Sequence, residues 1–294
     1  MEHAIIESIF RRIAIVGLGL LGGSLGLALK KAGFAGRVVG QARRAETRQL
    51  ALTQSAVDEV FANVAEAARD ADLVILATPV AVILDQLPRL PSCLPPHALI
   101  TDVGSTKRRI CTQAAEFYGG QPLFLGGHPM AGKERSGLEN ADPRLFENAR
   151  YVLTPLHQEH LRDPRVQAFQ QLVVAIGARP IVTDPQTHDV AVAYLSHLPQ
   201  MLASGLASLV DERHSAGTLP LEVAASGFRD MTRLADSPYS VWRDICLTNT
   251  ENIRTAIEAL IQKLESIRER LCDRELEQEF LAAHRLRDKL RETS

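Results

Sequence analysis

The chain has 294 residues, of which 46% are hydrophobic and 23% charged, and its formal net charge is −2. This length corresponds to two domains or one large one, and the composition excludes the disordered and fibrous classes. The nearly balanced charge excludes a strongly basic nucleic-acid binder. The four cysteines form no CxxC pair. This spacing argues against a disulfide framework and against a metal site of the zinc type, and it indicates a reducing cytoplasm.

Two uncharged stretches, 13–29 and 190–210, raise the question of a membrane span. The first contains five glycines. The second is long enough to cross a bilayer, but it includes Ser196, His197 and Pro199, so we interpret it as a helix buried within protein. The first ten residues carry two acids and no basic segment, which is not the pattern of a signal peptide. We therefore expect a cytoplasmic protein without a membrane partner.

Short apolar runs alternate with helical stretches through the first 184 residues. The pattern predicts strands at 13–17, 37–40, 72–77 and 98–102, and later strands at 123–126, 151–154 and 179–183. Helices are predicted at 22–33, 43–54, 63–70 and 80–90. Strands that alternate with helices predict an α/β fold with a Rossmann-type, doubly wound parallel sheet.

After Asp184-Pro185 strand signals become rare, which predicts an all-helical region. Leu260, Leu264, Ile267 and Leu271 recur at the spacing of one face of an amphipathic helix. We therefore divide the chain into a dinucleotide-binding domain, 1–184, and a helical substrate and dimerisation domain, 185–294. A small domain could hardly bury the uncharged helix 190–210 alone, so we expect a homodimer that packs through the helical domain.

A glycine-rich motif, Gly17-Leu18-Gly19-Leu20-Leu21-Gly22, follows the first strand and opens a helix. This is the context of a dinucleotide-binding fingerprint. Gly17 would allow the tight turn, Gly19 the approach of the pyrophosphate, and Gly22 close helix–strand packing. Leu20 and Leu21 would line the same helix N-terminus. The alternative is a glycine turn without a ligand.

The end of the second strand discriminates between the two nicotinamide cofactors. NAD sites usually carry an acid there, but this chain has Gln41-Ala42 followed by Arg43 and Arg44. Guanidinium groups suit the 2′-phosphate of NADP, so NADP is favoured over NAD. The alternative is that the two arginines open a solvated helix.

Further polar segments follow the later strands, where ligands of such sheets bind. Thr78 and Pro79 end one strand, and Ser105 follows the next in the segment 101–107. His128 comes after Gly126-Gly127, and we expect it in an exposed loop near the cofactor. Lone histidines are usually structural, but this setting makes His128 a candidate catalytic group.

Seven motifs then occur in order: GxGxxG, TP, DVGSTK, GGHPMAGKERSG, LFENARYVLTP, SHLP and SGFRDMTR. With them the chain resembles the prephenate/arogenate dehydrogenase family of tyrosine biosynthesis, from about residue 12 to 265. The resemblance implies an NAD(P)-dependent oxidative decarboxylation. Hydride leaves C4 of a cyclohexadiene, CO₂ leaves C1, and the ring becomes aromatic.

The resemblance implies roles for single residues. His128 would accept the proton of the 4-hydroxyl with a pKa near 6.5, and Ser105 would orient His128 and the nicotinamide. Arg233 would hold a substrate carboxylate, and His197 would be a second active-site histidine. The alternatives are a strand-end cap for Ser105, a surface salt bridge for Arg233 and a buried hydrogen-bonded role for His197.

Three further positions match a polar or aromatic rim around the substrate. These are Glu134, Arg229 and Trp242, each of which has an equally good structural interpretation. Some relatives have lysine where Arg229 stands, which leaves its role open. Lys107 is expected near the cofactor or the serine loop.

Other functions remain as alternatives. A β-hydroxyacid dehydrogenase would need a catalytic lysine motif, which does not stand out. A non-catalytic NADPH-binding regulator would lack His128, Ser105 or Arg233. Prephenate and arogenate differ in a keto group against an ammonium group. An acid such as Asp189 or Asp230 beside the substrate would favour arogenate.

Overall fold

A computed structural model describes residue 6 and residues 8–118, 122–133 and 135–292. Residues 1–250 form one compact unit and residues 251–294 a second. The boundary expected at 184 lies inside the first unit and remains a prediction. None of the helices within the described ranges is long and apolar enough to cross a membrane.

The first unit is built on an eight-stranded sheet with the order β3-β2-β1-β4-β5-β6-β7-β8. The strands are β1 (Arg12–Val16), β2 (Arg37–Gln41), β3 (Glu59–Phe61), β4 (Leu73–Leu76), β5 (Leu99–Asp102), β6 (Leu123–Pro129), β7 (Arg150–Pro155) and β8 (Arg179–Val182). All neighbouring strands are parallel except β6 and β7, which are antiparallel. The predicted Rossmann-type sheet is confirmed. The three-residue strand β3 was not predicted, because it is too short to show an apolar run.

Both faces of the sheet are buried, which explains the continuous apolar runs of its central strands. Ile13 and Ile15 belong to one apolar cluster, and Ala14 and Val16 to another. Successive side chains of a strand point to opposite faces, so β1 contributes to both clusters.

Helices cover the sheet and continue beyond it. In the first unit they are α1 (Leu20–Lys31), α2 (Ala45–Thr53), α3 (Val64–Ala68), α4 (Val80–Gln86), α5 (Arg108–Phe117), α6 (Pro164–Ala175), α7 (Pro185–Val192), α8 (Leu198–Ser215), α9 (Ser226–Thr232) and α10 (Tyr239–Thr248). Asp184 begins α7, because its carboxylate accepts hydrogen bonds from the backbone of Gln186 and Thr187.

The uncharged stretch 190–210 is helical, but it is not one regular helix. A π-helical turn, Ala193–His197, joins α7 to α8. Pro199 follows it and has no backbone N–H to continue the ordinary hydrogen-bond ladder, which accounts for the wider turn. Val192, Ala193 and Ala203 are buried, but Leu195 is 78% exposed and Leu209 51% exposed. The interpretation as a buried helix therefore holds for one face only within this chain.

The second unit consists of α11 (Thr250–Glu269), a short 3₁₀ turn and α12 (Glu277–Glu292). Lys263 of α11 and Arg270, which directly follows this helix, both form ion pairs with Glu279 of α12. Leu260 and Ile267 of the predicted apolar face are half-buried in α11, but Leu264 is exposed, and Leu271 lies beyond the end of the helix and is also exposed.

Candidate active site

The glycine motif forms a tight loop between β1 and α1. Gly17 has φ +99°, and a Cβ atom there would lie 2.7 Å from the carbonyl oxygen of Ala77 and from Cγ2 of Thr78. A Cβ atom at Gly22 would lie 2.0 Å from the carbonyl oxygen of Gly17. The loop therefore requires glycine at both positions and packs directly against Thr78, because β1 and β4 are neighbours.

The remaining glycine of the motif, Gly19, faces open space. Among the described residues, no atom lies within 4 Å of a Cβ placed on Gly19, which is the N-cap residue of α1. An anion could thus approach this backbone and the N-terminal amides of Leu20, Leu21 and Gly22. These residues fit the pyrophosphate of a dinucleotide.

The loop after β2 carries two arginines and is contacted by a third. Arg43 and Arg44 are exposed, and Arg44 is the N-cap residue of α2. Arg48, which sequence reasoning missed, donates hydrogen bonds to the carbonyl oxygens of Ala42 and Arg43 at 3.0 and 2.7 Å. Gln41 is buried and donates to the carbonyl oxygen of Ala62. The loop therefore presents cations and no acid.

His128 does not lie in an exposed loop, and this expectation was wrong. It belongs to β6 and is only 8% exposed. The antiparallel strand β7 extends β6 beyond its predicted end, since Val152 pairs with His128 and Tyr151 with Pro129. A sequence without a known partner strand could not indicate this extension.

A buried ion pair fixes the backbone just before His128. Lys107 and Asp102 form an ion pair, and both side chains are fully buried. Lys107 Nζ donates to the carbonyl oxygen of Gly127 at 2.7 Å, and the N–H of Gly127 donates to Asp102 at 3.1 Å. Lys107 therefore supports the strand that carries His128.

The ring of His128 is held by a second histidine. His128 Nδ1 lies 2.8 Å from His188 Nε2, and His188 Nδ1 lies 2.7 Å from Asp189 Oδ1. Asp189 also accepts hydrogen bonds from the backbone N–H groups of Lys107 and Arg108, at 2.7 and 3.0 Å. The carboxylate of Asp189 thus caps the N-terminus of α5. It is also the last member of the series of hydrogen-bonded side chains that leads to His128.

Two aspartates of the helical region, which follows residue 184, connect this region to the part of the first unit that contains the sheet. Besides Asp189 at α5, Asp244 of α10 accepts a hydrogen bond from the backbone N–H of Ala81 in the first turn of α4, at 3.0 Å. The hydroxyl groups of Thr106 and Thr248 lie 2.8 Å apart. These contacts bring the helical region over the carboxyl ends of β4 and β5.

His197 is buried beside this cluster. Its Nδ1 lies 3.2 Å from Asn249 Nδ2, and Asn249 also donates to the carbonyl oxygen of Asp189. Trp242 is half-buried and meets the ring of His197 edge-on, with ring centroids 5.8 Å apart. The structure therefore brings together two positions that the resemblance implied, His197 and Trp242.

Burial controls the charge of both active-site candidates. The pKa of His128 is lowered well below its ordinary value, first by burial and then by His188, Lys107 and His197. Burial also lowers the pKa of His197 to about 4, although Asp189 opposes the shift. The expectation that His128 would have a pKa near 6.5 is therefore wrong, because that expectation assumed an exposed loop. The lowered pKa favours the neutral form of His128, which could accept a proton.

Three other expected site residues lie outside this buried cluster. Ser105 is half-buried in the loop after β5, three residues beyond Asp102. Arg229 in α9 and Arg233 just after it are exposed. Glu134 lies outside the described residues.

Sequence reasoning missed His188 and Asn249 and gave Asp189 no role beside His128. His188 and Asp189 follow a helix start and look like solvated residues of a first turn. Asn249 stands between two helices, where asparagine commonly ends a helix. Burial distinguishes them, since none of the three side chains is more than 4% exposed. A sequence contains no signal for that burial.

Comparison with known proteins agrees with this architecture. A family model described as "Prephenate dehydrogenase, nucleotide-binding domain" matches residues 25–182, and one described as "Prephenate dehydrogenase, dimerization domain" matches residues 184–286. The chain belongs to the prephenate dehydrogenase family. Its members are oxidoreductases. The two family models meet at residues 182–184.

Relatives of this family resemble the chain over most of its length. A prephenate dehydrogenase of Lactococcus lactis is 36% identical over 90% of this chain and 72% of its own. A crystal structure of the Aquifex aeolicus prephenate dehydrogenase, in complex with hydroxyphenyl propionate and NAD⁺, has a TM-score of 0.87 at 28% identity and covers 95% and 98% of the two chains. Synechocystis arogenate dehydrogenase has a TM-score of 0.79 at 29% identity, with 95% and 99% covered.

Proposed function

We propose that the protein catalyses the NAD(P)-dependent oxidative decarboxylation of prephenate to 4-hydroxyphenylpyruvate, with His128 as the proton acceptor. Membership of the prephenate dehydrogenase family supports the reaction. The observation that carries the catalytic assignment is that His128 is a buried imidazole at the carboxyl edge of the sheet, hydrogen-bonded through Nδ1 to His188.

The reaction needs a base, a hydride acceptor and cationic anchors. The nicotinamide, when bound, accepts the hydride from C4 of the substrate. His128 takes the proton of the 4-hydroxyl group as the carbonyl forms. A neutral imidazole can do this near pH 7, since burial lowers the pKa of His128. Ser105 orients His128 and the nicotinamide.

Charged residues of the helical region hold the substrate in this proposal. The guanidinium of Arg233 grips one substrate carboxylate, because its planar fork suits two parallel hydrogen bonds. Arg229 and Glu134 add a polar rim. His197 and Trp242 contribute as a packed pair, which their edge-on contact supports.

The glycine loop holds the cofactor, and NADP is the preferred form. Gly17, Gly19 and Gly22 shape the pyrophosphate site, with Leu20, Leu21, Thr78 and Pro79 around it. Arg43 and Arg44 bind the 2′-phosphate. The position of Arg48 against the same loop supports this preference, since it adds a third cation beside Arg43 and Arg44.

The contacts of Asp189 favour prephenate over arogenate. Arogenate carries an ammonium group that needs an acidic partner. Asp189 lies nearest to the His128 cluster, but its oxygens already accept hydrogen bonds from Lys107 N, Arg108 N and His188. Asp230 is exposed. Arogenate dehydrogenation remains the alternative function, which would make tyrosine directly.

The assembly proposed is a homodimer formed through the helical region. The match to a dimerization-domain family model supports it, and so does the exposure of Leu195 and Leu209. The location proposed is the cytoplasm, which the free state of all four cysteines supports.

The test is a steady-state assay of prephenate and arogenate, each with NAD⁺ and NADP⁺. We expect the highest kcat/KM for prephenate with NADP⁺. The His128→Asn variant should bind cofactor normally but lose about 10²–10⁴-fold in kcat, the usual worth of general-base catalysis. Near wild-type kcat of this variant on both substrates would refute the assignment of His128.

A further inference from the structure

We propose that His188 and Asp189 are positioning residues that set the tautomer of His128 and stabilise its protonated form, so that the three side chains act as one relay. This inference rests on the proposed role of His128 as the proton acceptor. It assigns His188 and Asp189 a function in the reaction, although neither needs to touch the substrate.

The direction of the hydrogen bonds follows from the acceptor end of the chain. Asp189 Oδ1 accepts from the backbone N–H of Lys107 and Oδ2 from that of Arg108, so both oxygens act as acceptors. His188 Nδ1, at 2.7 Å from Oδ1, must therefore donate its proton to Asp189. With Nδ1 as the donor to Asp189, Nε2 is the ring atom of His188 that can accept a hydrogen bond.

That acceptor determines the state of His128. Nε2 of His188 lies 2.8 Å from Nδ1 of His128, and a hydrogen bond between them requires one proton. In the proposed arrangement Nε2 of His188 is the acceptor, so Nδ1 of His128 carries this proton. The neutral imidazole then has its lone pair on Nε2, which is the atom that must accept the substrate proton.

The same chain stabilises the product of proton transfer. The O–H bond of the substrate breaks, its electron pair forms the carbonyl as hydride leaves C4, and the proton goes to Nε2 of His128. His128 becomes an imidazolium whose Nδ1–H still donates to His188, and no second proton has to move. His188 in turn donates to the carboxylate of Asp189, which supplies the negative charge at the end of this hydrogen-bonded series.

The surroundings explain why His128 needs such help. Burial and the positive charge of Lys107 both disfavour a positive charge on the His128 ring. The positive charge of Lys107 is paired with Asp102. Asp189 is therefore the carboxylate that reaches His128 through a hydrogen-bonded side chain.

The experiment compares two substitutions of His188. In His188→Leu the acceptor for His128 Nδ1–H is lost, and kcat should fall about 10–100-fold, as when the partner of a metal-binding histidine is removed. The KM for prephenate should change less than kcat, and the acidic limb of the pH profile should move to lower pH. In His188→Gln the side-chain oxygen can accept from His128 again, so most of the lost kcat should return.

Two further measurements separate positioning from a general structural effect. Adding His188→Leu to His128→Asn should lower kcat no further, because the relay acts only through His128. Nitrogen NMR of the wild-type protein with labelled histidine should show the His128 proton on Nδ1. His214→Leu is the matched control, since His214 is exposed at the end of α8 and should leave kcat unchanged.

The outcomes distinguish this inference from the proposed function. If His128→Asn loses activity while His188→Leu keeps wild-type kcat and pH profile, the relay is refuted and the base is not. If His128→Asn keeps its activity, the proposed role of His128 as the base is refuted, and the relay is refuted with it. If His188→Leu does not fold, the glutamine variant and the spectrum decide: a proton on Nε2 of His128 refutes the relay by itself.

Discussion

Lys107 and Asp102, both fully buried, form an ion pair, and each also hydrogen-bonds one backbone group of Gly127. A buried ion pair is costly to form, because both charges lose their hydration. Here each partner also satisfies one polar group of the residue that precedes His128. The pair therefore connects the stability of the sheet with the position of the candidate base.

Breaking this pair should destabilise the protein strongly. Lys107→Met leaves Asp102 as a buried, unpaired carboxylate, which typically costs about 3–5 kcal/mol. Urea unfolding measures the loss. Lys133→Met is the control, because Lys133 pairs with Asp142 at a partly exposed position, and such a pair is worth less than about 1 kcal/mol. Equal losses in the two variants would contradict this account of the buried pair.

The pH profile should reflect the buried state of His128. Proton acceptance needs the neutral imidazole, which is present above its pKa, so kcat/KM rises with pH and then levels off. Because burial above all, together with the nearby Lys107, lowers the pKa of His128, the plateau should begin below the ordinary histidine value of about 6.5. The limb should be absent in His128→Asn. A wild-type limb at or above the ordinary value would speak against His128 as the titrating group.

The glycine loop offers a pair of matched substitutions. Gly22→Ala should destabilise the fold, because its new Cβ would collide with the carbonyl oxygen of Gly17. Gly19→Ala should keep the stability, because its Cβ meets no described atom within 4 Å, yet it should weaken cofactor binding by occupying the pyrophosphate approach. Thermal unfolding and dinucleotide titration measure the two effects. Unchanged cofactor affinity in Gly19→Ala would argue against the proposed site.

The cofactor preference should depend on the arginines after β2. Replacement of Arg43 and Arg44 by alanine should reduce the NADP⁺ preference in kcat/KM by about tenfold or more, which corresponds to about 1.4 kcal/mol. Arg162→Ala, another exposed arginine, is the control. A wild-type enzyme that prefers NAD⁺ would overturn the prediction.

Dimerisation should depend on the exposed apolar face of the helical region. Light scattering should give a dimer for the wild-type chain at micromolar concentration. Leu209→Glu places a charge on the exposed face of α8 and should shift the mass toward the monomer, since burial of apolar surface is worth about 25 cal/mol per Å². Leu52→Glu, at an exposed leucine of α2, should leave the dimer intact. A stable wild-type monomer would be the contrary result.

Local patterns were sufficient for much of the fold. The apolar runs at 13–17 and 98–102 correspond to β1 and β5, and Gly17 and Gly22 stand where the turn and the packing require them. Such features depend on neighbouring residues, so a sequence displays them directly. Strand β3 and the extension of β6 depend on pairing with distant strands, and they were missed.

Most strands of the sheet, the glycine loop and the family could be predicted from the sequence alone, because these follow from periodicity and from motifs of adjacent residues. The tertiary structure decided the environment of His128. It is buried rather than exposed, and His188, 60 residues away along the chain, holds its ring. Burial and hydrogen bonding across such distances depend on how strands and helices pack. A lysine such as Lys107, which composition would assign to the surface, is then found in the interior because Asp102 and Gly127 meet there.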